Sequence, residues 1–273
     1  MKAAVCEWVI PQNGVAAVYA AGQLGFDGIQ ITEQGGREKG FPLLDPALQE
    51  AYRKATEESG VELQALHLWS LCRLAVMLHP LDSEPGRIAL DYIEKSVESC
   101  VQMGIPKLLM TSGMMAQAKN RKDYLIFGRY MKAACDMAEG TGVRIVFESA
   151  YEADEIEAMV DLTGGRLKVC YDLFNPVRFH MNSPLEDIRY LAPTGCIDHY
   201  HVKDGPASCI GCSLLGEGIG GFTAAMDAIC KSGYDGWLVS ENYYVDMAAQ
   251  KEYAGRTWEE LAGADVRTLD RYC

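Results

Sequence analysis

The sequence predicts an α/β protein folded as a single (β/α)8 TIM barrel over residues 1–273. Three observations carry that reading. Short β-branched runs alternate with longer amphipathic segments from one end of the chain to the other, the pattern of parallel βαβ units. Eight such pairs fit into 273 residues, the usual size of a barrel, with no linker-like stretch between them. The first strand candidate runs into CEWVIPQNG, which lacks the glycine-rich phosphate loop expected of the competing arrangement, a doubly wound open sheet.

The first strand is KAAVCEWV (2–9), and FDGIQIT (26–32) follows as the second. The amphipathic stretch PALQEAYRKATEESG leads into the third, ELQALHLW (62–69). RIALDYIEKSVESCVQMG separates that strand from KLLMTS (107–112), and FGRYMKAACDMAEGTG leads to VRIVFES (143–149). LKVCYDL (167–173), CIDHYHV (196–202) and GWLVSEN (236–242) complete the set. Gly25, Gly60, Gly104, Gly142 and Gly233 stand just past helical stretches, where a left-handed C-cap is expected.

A net charge of −13 argues against nucleic acid or an anionic membrane as the main partner, because both reward a basic face. The opening MKAAVCEWVIPQNG has no signal-peptide apolar core, and no stretch approaches the ~18 apolar residues a membrane span needs. Ten scattered cysteines, including Cys6, Cys72, Cys170, Cys196 and Cys230 inside apolar runs, suggest buried free thiols in a reducing cytoplasm. CIGC (Cys209, Cys212) is half of a zinc or redox motif, with no second CxxC to complete it.

In a barrel of this kind function sits at the C-terminal ends of the strands. The last four strands each end in a polar residue after an apolar run: Glu148, Asp172, His201 and Glu241, spaced by 24, 29 and 40 residues. Each interval fits one βα unit, so all four belong at one rim. Three carboxylates and an imidazole held close and away from water repel one another unless a cation lies between them. A donor set of oxygens with one nitrogen suits Mn²⁺ or Mg²⁺, with Co²⁺ or Zn²⁺ as alternatives. In HYHVKDG, strand alternation puts His199, His201 and Lys203 on one face. His201 is then a ligand, His199 lies one layer deeper, and Lys203 reaches the rim to meet substrate oxygens. His67 and Trp69 end the third strand, while Trp8 and Glu33 end the first and second. The two tryptophans are candidate walls for the C–H face of a sugar. His180 falls in the loop after Asp172.

The segments VFES, CYDLFN, HYHVKDG, GEGIGGF and LVSEN, in that order, resemble the sugar phosphate isomerase/epimerase family with the xylose-isomerase-like barrel, and GFDGIQI is similar to that family's second strand. The resemblance implies that Glu148, Asp172, His201 and Glu241 ligate one divalent cation, often manganese. It also implies that Glu148 and Glu241 exchange protons with the substrate, and that the protein forms a homo-oligomer. Two departures from free-ketohexose epimerases bear on substrate identity: Asn175 in DLFN, where those enzymes tend to carry histidine, and VKDG, where they place an arginine-containing segment.

The expected activity is a metal-dependent isomerisation or epimerisation of a ketose or keto-sugar derivative through an enediolate. The alternatives are a lyase on the same scaffold (an inosose-type dehydratase or a 3-keto-glycoside or C-glycoside deglycosidase subunit), an endonuclease IV-like phosphodiesterase, and a metal-stabilised binding subunit without turnover. Five histidines and the acidic charge disfavour the phosphodiesterase.

Overall fold

A computed structural model describes residues 1–113, 117–149, 151–179 and 183–273; His180 lies outside them. Its strands are β1 (Lys2–Cys6), β2 (Gly28–Thr32), β3 (Glu62–His67), β4 (Lys107–Ser112), β5 (Arg144–Ser149), β6 (Lys168–Asp172), β7 (Ile197–Val202) and β8 (Trp237–Ser240). They follow one another in sheet order and close into a barrel. Each observed strand falls inside the stretch expected for it. Strand β4 coincides with its expected stretch at both ends, and the last residue of β8 directly precedes Glu241.

Helices α1 (Val15–Leu24), α2 (Pro46–Ser59), α3 (Glu84–Met103), α4 (Arg121–Ala138), α5 (Ala153–Leu162), α6 (Pro184–Leu191), α7 (Phe222–Lys231) and α8 (Trp258–Leu269) alternate with the strands. The start of α3 is fixed by Ser83, whose hydroxyl accepts from the Gly86 amide. Its end is fixed by Gly104 at φ 68°, which turns the chain so that its amide returns to the carbonyls of Cys100 and Val101. Two expected caps are displaced. Helix α4 ends at Ala138, capped by Glu139 and well short of Gly142, and α7 is capped by Ser232, one residue before Gly233.

The chain divides into two compact units. The first comprises Met1–Gln30, Ala55–Glu62 and Tyr171–Cys273. Here β1 runs parallel between β2 and β8, and β8 pairs with β7. Ala3, Ala4, Val5 and Cys6 are all buried, because helix-covered parallel strands have no face left for water. The second unit comprises Ile31–Lys54 and Leu63–Cys170. In it β4 pairs with β3 and β5, and β5 pairs onward with Lys168–Cys170 of β6. Leu109, Val146 and Cys170 form one buried apolar cluster there.

Among the described residues no helix is long and apolar enough to cross a membrane. The expectation of buried thiols holds for Cys6, Cys72, Cys100, Cys135, Cys170 and Cys196, but not for Cys230, which is exposed. Cys230 lies next to Lys231 near the end of α7, on the side the helix turns to water. Cys209 and Cys212 are joined in a disulfide, a correction to the free-thiol reading. Their hairpin brings the two sulfurs together across a three-residue separation.

Candidate functional site

In the first unit, the end of β7 carries the row of side chains that strand alternation predicts. The His199 and His201 rings lie 5.6 Å apart, both fully buried. Lys203, one position past the strand, is also buried. Its ammonium donates to Asp172 Oδ2 at 2.8 Å and to Glu241 Oε2 at 2.6 Å, so it sits on two candidate ligands.

Asp172 is locked from its other side. Its Oδ1 accepts from the backbone amides of Phe174 and Asn175, both at 2.7 Å, which turns the chain into the short helix Asn175–Arg178. Asn175 therefore contributes a backbone donor to the site's scaffold. Glu241 is held by two donors, the Trp8 indole to Oε1 at 2.9 Å and Lys203 to Oε2, and His201 Nδ1 stands 3.5 Å from that same Oε2. Burial opposes ionisation of Glu241. The Lys203 ammonium outweighs it and holds the carboxyl well below the ordinary glutamate range. Trp8, placed by the 3₁₀ turn Glu7–Val9 after β1, also packs edge-on to His201 with ring centroids 6.3 Å apart.

In the second unit, Glu148 lies opposite Thr111 across the β4–β5 register, and the threonine hydroxyl donates to Glu148 Oε2 at 3.2 Å. His67 Nε2 is 3.0 Å from the same hydroxyl, so the third strand reaches Glu148 through Thr111. The Cys72 thiol beside His67 is pushed up to about 12, by burial first and by the Glu148 charge second. Trp69 opens a short helix whose backbone amides at Trp69 and Ser70 donate to the Glu33 carboxylate, at 2.7 and 2.8 Å. Glu33 thus fixes the position of the Trp69 ring, which stands 5.5 Å from that of His67.

Three features escaped the sequence reading. Asp204, fully buried, accepts from the amides of Gly205, Gly216, Gly218 and Gly220, so the glycine run GEGIGGF wraps around a carboxylate. A Cβ on Gly218 would collide with Asp204 Oδ1, and the alternating glycines were the available signal. Asn242 bridges the Asp204 amide to Asp265, whose carboxyl burial raises to about 7. Gln30, in the middle of β2, lies between the two histidines and touches both.

Asp172, His201 and Glu241 are buried within the first unit, and Glu148 is buried within the second. Three carboxylates and one imidazole fit a hard or borderline divalent cation.

A family model described as the xylose isomerase-like TIM barrel matches residues 18–272. A 2-epi-5-epi-valiolone 7-phosphate 2-epimerase from Actinoplanes sp. is 25% identical over 272 residues, covering 99% of this chain and 97% of the relative. The crystal structure of an L-ribulose 3-epimerase is similar at TM-score 0.77 and 16% identity, over 99% of this chain and 94% of that one. That of a 3-keto-D-glucoside 4-epimerase from E. coli is similar at TM-score 0.74 and 14% identity, over the whole of both chains. At those identities the structures establish the barrel fold.

Proposed function

Since the chain belongs to the xylose isomerase-like TIM barrel family, we propose that it is a single-domain, divalent-metal-dependent sugar epimerase or isomerase acting on a ketose or keto-sugar derivative. The observation that carries this reading is the buried constellation of Asp172, His201 and Glu241 around Lys203. A barrel does not gather two carboxylates, an imidazole and an ammonium out of water for stability, because replacing them with apolar side chains is often neutral or stabilising. Glu148, near the end of β5, is proposed as the fourth ligand, because function in a barrel gathers at the C-terminal ends of the strands. The relative that acts on a valiolone phosphate and the keto-glucoside epimerase both support a substrate with a carbonyl beside a carbon that changes configuration.

Glu148, Asp172, His201 and Glu241 would hold the cation, manganese being the ion the family resemblance favours among those the donor set suits. When bound, the cation supplies Lewis-acid polarisation of the substrate carbonyl. Of the two glutamates, one takes the proton α to that carbonyl and the other returns it on the opposite face or the adjacent carbon. Thr111 holds Glu148 Oε2 and Trp8 holds Glu241 Oε1, so each carboxylate meets the substrate in a fixed orientation. Trp8, His67 and Trp69 line the sugar, and Asn175 and Lys203 stand near its polar end. His199 supports this layer from below.

The test is mass spectrometry of a substrate panel incubated in D₂O with Mn²⁺-loaded protein. Epimerisation incorporates solvent deuterium at one carbon and otherwise conserves mass, whereas elimination loses water or an aglycone. The two departures at Asn175 and in the VKDG segment favour a modified keto-sugar over free fructose or tagatose. No exchange with any keto-sugar, or full activity in metal-free protein, refutes the proposal.

A further inference from the structure

We propose that Gln30 is a positioning residue that fixes His201 in its Nε2–H tautomer and so presents the Nδ1 lone pair to the cation. The proposal rests on the metal-site reading above. It concerns a residue that contacts neither cation nor substrate.

The chain of donors and acceptors begins at Asp198. Its ionised carboxylate can only accept, and His199 Nδ1 lies 3.0 Å from Oδ1, so Nδ1 carries a proton. A neutral His199 then has its lone pair on Nε2. That nitrogen is 2.8 Å from the Gln30 side-chain nitrogen, which must donate. The orientation of the Gln30 amide is thereby decided, and its carbonyl oxygen faces the other way. There it stands 2.9 Å from His201 Nε2. A carbonyl oxygen only accepts, so His201 Nε2 is protonated. The Cys6 thiol, 3.7 Å from the same oxygen, is a second donor to it and agrees with that polarity.

His201 Nδ1 is left as the basic nitrogen, and it is the one that faces Glu241, 3.5 Å from Oε2. Two lone-pair atoms at that separation repel unless positive charge joins them. Flipping the Gln30 amide would set its carbonyl against the His199 lone pair and its NH₂ against the His201 Nε2–H. Gln30, His199 and His201 are all fully buried, so water does not repair such a mismatch. The polarity chosen by one carboxylate below the ring layer is therefore handed through two imidazoles and an amide to the metal side. Partners that orient a ligating histidine in this way change metal affinity by roughly 10- to 100-fold when removed.

The experiment uses full-length protein freed of metal and ¹⁵N-labelled at histidine. Long-range ¹H–¹⁵N correlation at about pH 8, above the ordinary imidazole range, reports which nitrogen of each ring is protonated. Mn²⁺ affinity is measured separately by titration calorimetry. In the wild type, His201 is expected as Nε2–H and His199 as Nδ1–H. Gln30→Met, which keeps the volume and removes both hydrogen bonds, is expected to mix the His201 tautomers and weaken Mn²⁺ binding about 10- to 100-fold. Gln30→Glu still accepts from His201 but cannot donate to His199, so it is expected to keep the His201 tautomer and bind Mn²⁺ within a few-fold of wild type. An Nδ1–H His201 in the wild type overturns the proposal, and that measurement needs no variant to fold. Unchanged Mn²⁺ affinity in Gln30→Met overturns it as well. Nε2–H His201 in a wild type that binds no divalent cation sinks the metal-site reading instead, while the tautomer assignment stands.

Discussion

Replacing Lys203 with methionine tests whether the ammonium is a structural counter-charge for a cation site. The variant keeps the aliphatic stem and removes a charge that sits 2.8 Å from Asp172 Oδ2 and 2.6 Å from Glu241 Oε2. All three side chains are nearly inaccessible, at 5%, 1% and 9% exposure, so water does not screen the loss. Removing one partner of such a buried pair costs about 3–5 kcal/mol, because the remaining carboxylates stay desolvated and unpaired. At about 2–4 °C per kcal/mol for a chain near this size, metal-free Lys203→Met should melt roughly 6–20 °C below wild type at neutral pH. The pH dependence has a definite sign. In the wild type Glu241 titrates below its unfolded value, so its contribution is present above the ordinary carboxylate range and is lost as pH falls through the lower folded value. Without Lys203 the carboxyl is left to burial, which raises its pKa, and acidification should then recover stability. Mn²⁺ at about 100 times its Kd should return about 2.7 kcal/mol by mass action. Calorimetric melting from pH 4 to 8, with and without Mn²⁺, reads all three effects. A loss below about 1 kcal/mol at neutral pH, with an unaltered acid limb, would refute the idea that Lys203 neutralises this cluster.

Asp172→Asn should chiefly weaken Mn²⁺ binding, whereas Glu148→Gln or Glu241→Gln should lower turnover by roughly 10²-fold or more at saturating metal; a Gln variant with wild-type turnover is not a proton carrier. Gly218→Ala should destabilise the protein by about 1–3 kcal/mol or more in denaturant titration, because the new methyl group displaces Asp204 from its cradle of amides. Asp265, raised from an unfolded value of 3.8 to about 7, holds its proton more tightly in the folded state, so its contribution is complete below the unfolded value and is lost as pH rises to about 7. Asp265→Asn should flatten that decline in stability between about pH 4 and pH 7; an unchanged slope would show that Asp265 does not set it.

The barrel was legible in the sequence because strand and helix periodicity are local properties, and all eight strands fall where alternation of β-branched runs put them. The same locality exposed His199, His201 and Lys203 as one face, and Asp172, His201 and Glu241 as neighbouring strand-end residues. It could not say what Lys203 touches: a side chain with that reach can meet substrate or fold back onto carboxylates, and the choice depends on groups 31 and 38 residues away. Gln30 carries no local signal, since its meaning lies in two rings from β7, 169 and 171 residues further along. Asp204 was hidden for a different reason: its partners are backbone amides of the glycine loop that follows, and periodicity does not set the path of a loop. Sequence by itself determined the order of elements and the inventory of charged groups at their ends. Only the tertiary structure decided which donor meets which acceptor, because a buried hydrogen bond is set by distances of a few tenths of an ångström that periodicity does not encode.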